Sequence, residues 1–118
     1  MKLQSIKFML MVENMARAVA FYRDAVGLSL VSESPHWSEL SHGDAIVALH
    51  GGREDASHRS TGLSFTVDDI HGAVQDVEGA GGKILMAPED RPGEPIWLAD
   101  CEDTEGNGFM ISMPKTSG

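Results

Sequence analysis

Cysteine, tyrosine and positive charge are all scarce in this chain. Cys101 is the only cysteine in 118 residues, and the aromatic set is four Phe, two Trp and the single Tyr22. One thiol excludes an intrachain disulfide framework, so apolar burial and hydrogen bonds must hold the fold. Nine Lys and Arg face 18 Asp and Glu, a formal net charge of −9. Phosphate binding needs clustered basic residues, so this balance argues against DNA or RNA as a partner. It also argues against an anionic membrane surface. No apolar run approaches the roughly 18–20 residues that cross a bilayer. Met1 to Ser5 carry no apolar leader region, which makes a cytoplasmic protein the expectation. There is no Ser-His-Asp order, phosphate-binding glycine loop or nucleotide motif. Cys101 has no basic neighbour in sequence to lower its pKa and is expected to be inert.

What the chain does have is a repeat. Val12-Glu13-Asn14-Met15 corresponds to Val67-Asp68-Asp69-Ile70, Ala18-Val19 to Ala73-Val74, Gly27 to Gly82 and Leu30 to Leu85, all at an offset of 55 residues. Two copies of one supersecondary unit therefore fill one domain, residues 1–118. A unit this small cannot bury its apolar face alone, so two copies must pair, within one chain or between two.

Periodicity predicts a strand over 6–12. A helix capped by Asn14 follows, with an apolar stripe of Met15, Ala18, Val19 and Tyr22, ending at Gly27. Strands are expected at 28–34, 37–40 and 45–50, which makes 6–50 a β-α-β-β-β unit. Residues 51–60 read as a polar linker. The second unit, 61–113, begins with a strand whose inward set is Leu63, Phe65 and Val67. Next come a helix capped by Asp69, a short strand at 83–86, a proline-containing loop over 87–94, and strands at 96–102 and 108–113. Lys115 to Gly118 read as a frayed tail. The fold class is α+β: two paired βαβββ units whose curved mixed sheets form a cleft, with the helices outside. Period two places Lys7, Met9, Met11, Ile46, Ala48 and His50 on the cleft side of the first unit. In the second unit it places Gly62, Ser64, Thr66, Gly108, Met110 and Ser112 there.

Ligand-contact candidates follow from side-chain chemistry. Trp37 and Trp97 each lead a strand near the cleft mouth, and an indole offers a flat apolar face with one N–H donor. The alternative for both is packing at an edge or dimer interface. Glu39 shares a face with Trp37 and suits a cation or a hydroxyl; otherwise it is a solvated strand residue. His50 ends a strand on the cleft side, where it can accept a hydrogen bond or act as a general base. Met9, Met11 and Met110 make an adaptable apolar lining, or simply fill core. His36, His42 and His58 fall in turns or the linker, and His71 on an exposed helix face.

Three further segments carry a family resemblance: Val12-Glu13-Asn14-Met15, Ala20-Phe21-Tyr22-Arg23-Asp24-Ala25-Val26-Gly27-Leu28, and Asp103-Thr104-Glu105-Gly106-Asn107-Gly108-Phe109. In this combination the chain resembles the vicinal oxygen chelate superfamily, from about Ile6 to Met113. That superfamily includes glyoxalase I, extradiol dioxygenases and bleomycin-resistance proteins. The resemblance implies paired βαβββ units closing into a barrel-like cleft, often in a homodimer. It also implies, in the metalloenzyme members, one divalent metal held by His and Glu from the first and last strand of each unit. Those positions fall here at Lys7, Ala48, Gly62 and Met110, and none is an imidazole or carboxylate. A one-residue slip brings only Phe8, Val47, Leu49, Leu63, Phe109 and Ile111. The expectation is therefore no metal, no cofactor, and a metal-independent binder of a hydrophobic or cationic aromatic small molecule, like the drug-sequestering members. Lys7 counts among the expected ligand contacts. Two alternatives stand beside it. One is a lyase, isomerase or dioxygenase of the same superfamily, with a metal displaced to His50 and His36 or His58, or with metal-free acid–base chemistry by His50 and Glu39. The other is a partner-binding module with no small-molecule pocket.

Overall fold

The computed structural model describes residues 1–116. The element order is β1 Lys7–Met11, α1 Met15–Ala20, β2 Ser29–Ser32, β3 Trp37–His42, β4 Ala45–His50, β5 Arg59–Thr66, α2 Ile70–Gly79, β6 Lys83–Asp90, β7 Ile96–Glu102 and β8 Asn107–Pro114. Two four-stranded sheets have the orders β1-β4-β3-β2 and β5-β8-β7-β6. These orders are identical under the repeat. In each, the first strand runs parallel to the last, and the remaining pairs are antiparallel.

Local chemistry starts both helices. The Asn14 side chain accepts the Arg17 N–H at 3.0 Å, and the Asp69 side chain accepts the Gly72 N–H at 3.0 Å. The first helix departs from its expected course to Gly27. After Ala20 it widens into a π-turn over Phe21–Ala25. A wider turn lets two consecutive aromatics, Phe21 and Tyr22, both point inward and become fully buried. Phe21 packs edge-on against Tyr22 at 5.0 Å and against Phe109 of the second unit at 6.0 Å. One continuous core thus runs from Leu10 and Val12 through Phe21 to Phe109 and Ile111.

Several expected boundaries shift. β3 runs to His42 rather than residue 40, and β5 begins at Arg59 rather than 61. β2 is only Ser29–Ser32, an exposed edge strand with an irregular register. The expected loop after 86 is instead strand: β6 continues through Pro88 to Asp90. It is an edge strand with register breaks on both sides of Met86, so a residue without an N–H costs no ladder bond there. Lys115 of the expected frayed tail is tied down: its N–H donates to the Pro95 carbonyl and its ammonium to the Arg91 carbonyl. Residues 117 and 118 lie outside the described chain.

The turn before β8 locks the units together. Tyr22 donates to the Asp103 carboxylate at 2.6 Å, and the Asn107 amide donates to the Met11 carbonyl at 2.9 Å. Burial pushes the Asp103 carboxyl up, against the pull of the donors from Tyr22, Asn107 and Glu105. Burial likewise pushes the Tyr22 phenol well above its ordinary value, reinforced by the Asp103 charge and hydrogen bond. A raised phenol pKa contributes stability that is complete below the unfolded value of about 10 and is lost as pH rises through the folded value. Because Tyr22 is the only tyrosine, its ultraviolet tyrosinate absorbance reads this directly. It is expected to stay silent above pH ~10 while the protein is folded, and to appear together with the loss of circular dichroism. A free-phenol titration curve in folded protein would contradict the buried Tyr22–Asp103 bond.

Candidate functional site

Cross-strand register builds the first trough. Met9, Ala48 and Glu39 lie in one row across β1, β4 and β3; Met11, His50 and Trp37 form the next; Lys7 sits opposite Ile46. Their neighbours Leu10, Val47, Leu49 and Leu40 are buried on the helix side. Alternation therefore leaves the row residues on the open face. Lys7 donates to Glu39 Oε2 at 2.8 Å, and the Trp37 indole N–H donates to the same oxygen at 2.7 Å. The Lys7 ammonium also stands 5.9 Å from the Trp37 ring centre. The hydrogen bond from Lys7, followed by that from Trp37, holds the Glu39 carboxyl below its usual range. His50 packs edge-on to Trp37 at 6.0 Å. Its Nδ1 lies 2.6 Å from the Gly51 carbonyl, an obligate acceptor, so Nδ1 carries the proton. No hydrogen bond joins His50 to Glu39 among the described residues, so the acid–base pair considered from sequence is not assembled.

Six of the eight expected contacts, Lys7, Met9, Met11, Trp37, Glu39 and His50, therefore share one face of the first sheet. Met110 lies on the second sheet, in a row with Ser64 and Asp100, and is 38% exposed. Trp97 does not join either trough. It is on the same side of β7 as the buried Ala99 and Cys101, and its ring meets His71 of α2 edge-on at 5.4 Å. The strand-leading position suggested a cleft mouth, but strand parity turns the indole toward the helix. Burial pushes the Cys101 thiol up to about 11, with the Asp100 and Glu78 charges adding to it, so it is not a nucleophile at neutral pH.

The four positions that hold a metal in the metalloenzyme members do not fit one here. The Lys7 ammonium is already paired with Glu39, and Ala48 offers a buried methyl group. Gly62 has φ +82° and sits in a bulge between Ser60 and Leu63, and Met110 offers a thioether. Zn, Ni, Fe and Mn call for imidazole, carboxylate or thiolate. Among the described residues no three His, Cys, Asp or Glu side chains are grouped to hold an ion.

A cavity of 580 Å³ lies elsewhere, on the helix side between the units. Its walls include the core side chains Leu63 and Phe109, Phe65 packed against them, and the exposed Phe8. Its polar rim combines Asp68, Asp69 and Asp76 with His42, Ser64 and Thr66, and Asp69 is spent as the α2 cap. The first trough instead gathers six of the expected contact residues around polar groups fixed by hydrogen bonds, Lys7 and the Trp37 indole on Glu39, and the troughs are therefore taken as the candidate site.

One residue pair escaped sequence reasoning. His58, read as a linker residue, places Nδ1 2.6 Å from Glu102 Oε2. The partners are 44 residues apart, and the pairing of β8 with both β5 and β7 brings them together.

Two units of identical strand order, each with its first and last strands parallel and a trough on the face away from its helix, define a glyoxalase-type fold. The family model described as Glyoxalase/Bleomycin resistance protein/Dioxygenase superfamily matches residues 5–111, and the chain belongs to that superfamily. An uncharacterized protein of Mycolicibacterium smegmatis is 26% identical over 106 residues, covering 89% of each chain. Among solved structures, a glyoxalase/bleomycin resistance protein/dioxygenase family enzyme from Burkholderia phytofirmans superposes with a TM-score of 0.76 at 18% identity, over 92% of this chain and 96% of that one. The fosfomycin resistance protein FosX from Listeria monocytogenes gives a TM-score of 0.79 at 9% identity, over 98% and 96%. At these identities the structural likenesses establish the fold alone.

Proposed function

We propose that the protein is a metal-independent binder of an aromatic small molecule, holding its ligand in the first trough as a homodimer without breaking a bond. The observation that carries this reading is the Lys7–Glu39–Trp37 cluster. A position that presents a metal ligand in metalloenzyme members is occupied by an ammonium already neutralised by a carboxylate and flanked by an indole. Such a site offers a flat apolar face, a methionine lining and a fixed polar anchor. Apolar burial at about 25 cal/mol per Å² supplies the affinity. Stacking on Trp37 adds orientation. The troughs are open, with Met9 48% exposed, and an open apolar face supports closure by a second copy of the chain. Native mass spectrometry checks the dimer.

The cluster also ranks ligands. A cationic aromatic must compete with Lys7 for Glu39, whereas a neutral one need not. In a Trp97→Phe protein, Trp37 is the only indole left. Its quenching is expected to follow binding of the neutral probe N-phenyl-1-naphthylamine more strongly than the cationic probe thioflavin T. Lys7→Met frees Glu39 and is expected to reverse that order. Trp37→Ala, tested through probe fluorescence, is expected to weaken both by about tenfold. Unchanged affinities in both variants would remove the first trough as the binding site.

A further inference from the structure

We propose that the second trough is a separate binding site, for a single-ring, mostly apolar molecule that presents one O–H or N–H donor, with His58 Nε2 as the acceptor of that hydrogen bond.

The geometry comes from four features. First, Glu102 is buried at the end of β7, and its side chain faces the trough because it pairs with Gly108. Second, His58 brings Nδ1 to 2.6 Å from this carboxylate. A carboxylate is acceptor-only when ionised, so Nδ1 carries a proton, and in the neutral ring the lone pair is on Nε2. Nε2 has no hydrogen-bond partner among the described residues. Third, Gly108 makes room for the ring: a Cβ there would stand 2.9 Å from His58 Cε1. Fourth, the bulge between Ser60 and Leu63 lifts Gly62 out of regular pairing, and the Thr61 hydroxyl bridges the break by donating to the Gly108 carbonyl at 2.6 Å. In this chain the imidazole thus arrives from the residue before β5, not from the strand itself. Lys83, 3.8 Å from the other oxygen of Glu102, and Asp100, one row along the trough, are the remaining charged groups.

His58 forms part of the wall of a 260 Å³ cavity whose other walls include Met110, Leu85, Gly62 and Leu63. An apolar cavity of about 150 Å³ already accepts benzene, so this volume suits one substituted ring. Of the polar side chains that line the cavity, Ser60, Thr61 and Asp100 among them, the imidazole is the one held by a buried carboxylate, while the Thr61 hydroxyl is spent on the Gly108 carbonyl. A ligand that donates one hydrogen bond satisfies Nε2; a ligand that only accepts leaves it unpaired, which is where discrimination arises. This site does not depend on the first-trough reading, because His58 ring resonances report one and Trp37 fluorescence the other.

The test uses 4-cresol, which keeps its O–H where the imidazole is neutral, and its des-hydroxy analogue toluene as probes, with protein carrying 15N-histidine. In the free protein, neutral His58 is expected to show the Nδ1–H tautomer, and Glu102→Ala is expected to shift it toward the Nε2–H form common in free histidine. Titration with 4-cresol is expected to move the His58 Nε2 resonance, with toluene binding about tenfold more weakly. His58→Ala is expected to abolish the preference while leaving toluene affinity unchanged. His36→Ala, an exposed turn residue, is expected to behave as wild type. Equal binding of the two probes by wild-type protein, or no response at His58, overturns the proposal. A Glu102→Ala protein that keeps both tautomer and preference removes Glu102 as the positioning residue and overturns the dyad.

Discussion

Glu105→Ala is expected to cost about 3–5 kcal/mol of folding stability, a large share of the ~5–15 kcal/mol typical of a domain. Glu105 is fully buried. Its Oε1 accepts the backbone N–H groups of Glu13 and Asn14 at 3.0 and 2.8 Å, and its Oε2 accepts Arg17 Nε and the Thr104 hydroxyl, each at 2.7 Å. Truncation leaves the β1–α1 junction without acceptors and breaks the tie between the second unit's turn and the first unit's helix. Burial alone would raise this carboxyl, but Arg17, the Asn14 N–H and Thr104 together hold it below its usual value. A lowered carboxyl contributes stability that is complete above the unfolded value near pH ~4.3 and is lost as pH falls through the folded one. Urea denaturation followed by circular dichroism measures both effects. Glu105→Gln should flatten the acid side of the profile. A loss under ~1 kcal/mol for Glu105→Ala, the level of an exposed ion pair, would refute the lock.

Gly106→Ala is expected to be nearly as damaging, at about 3 kcal/mol. Gly106 has φ +82°, a left-handed conformation that costs an L side chain roughly 1–2 kcal/mol. Its Cβ would also be driven into the carbonyl oxygens of Ala56 and Ser57, and overpacking of this kind adds about 1–3 kcal/mol. The crowding arises because the linker is laid across the turn. Arg59 donates its N–H to the Gly106 carbonyl at 2.8 Å, and Arg53 donates to the Glu105 carbonyl at 2.6 Å and to the Ser57 carbonyl. Gly93→Ala separates the two causes. Gly93 has φ +75° with nothing within 4 Å, so it should show the backbone cost alone, about 1–2 kcal/mol. Equal losses at the two positions would mean that the linker does not press on the turn. Because His58 is the last residue of that linker before β5, Gly106→Ala should also disturb the His58–Glu102 contact.

Much of the architecture is local in origin and therefore legible. The repeat that sets Val67 against Val12 is read by comparing two stretches of sequence and needs no contact between them. The caps at Asn14 and Asp69 depend on residues within one turn. So does the alternation of Leu63 and Phe65 with Ser64 and Thr66. The same alternation placed Lys7, Met9, Met11, Glu39 and His50 on one open face. The absence of metal-ligating side chains at Lys7, Ala48, Gly62 and Met110 was likewise a property of the sequence, given the family's strand positions.

The remainder was decided between distant segments. Lys7 meets Glu39 because β4 lies between their strands, and no local pattern encodes that a carboxylate 32 residues away will neutralise an ammonium. The π-turn at Phe21 pays for its unusual geometry with contacts to Phe109 and Asp103, which sequence periodicity around Tyr22 does not contain. Trp97 looked like a cleft residue because it opens a strand, yet its face is set by where β7 sits relative to α2. His58 looked like linker, yet the bulge at Gly62 and the missing Cβ at Gly108 let it reach Glu102. The sequence by itself determined the repeat, the alternation within its strands and the chemistry that is missing. Tertiary structure alone decided which charges meet and which imidazole faces a cavity, because those depend on pairing energies summed over strands far apart in the chain.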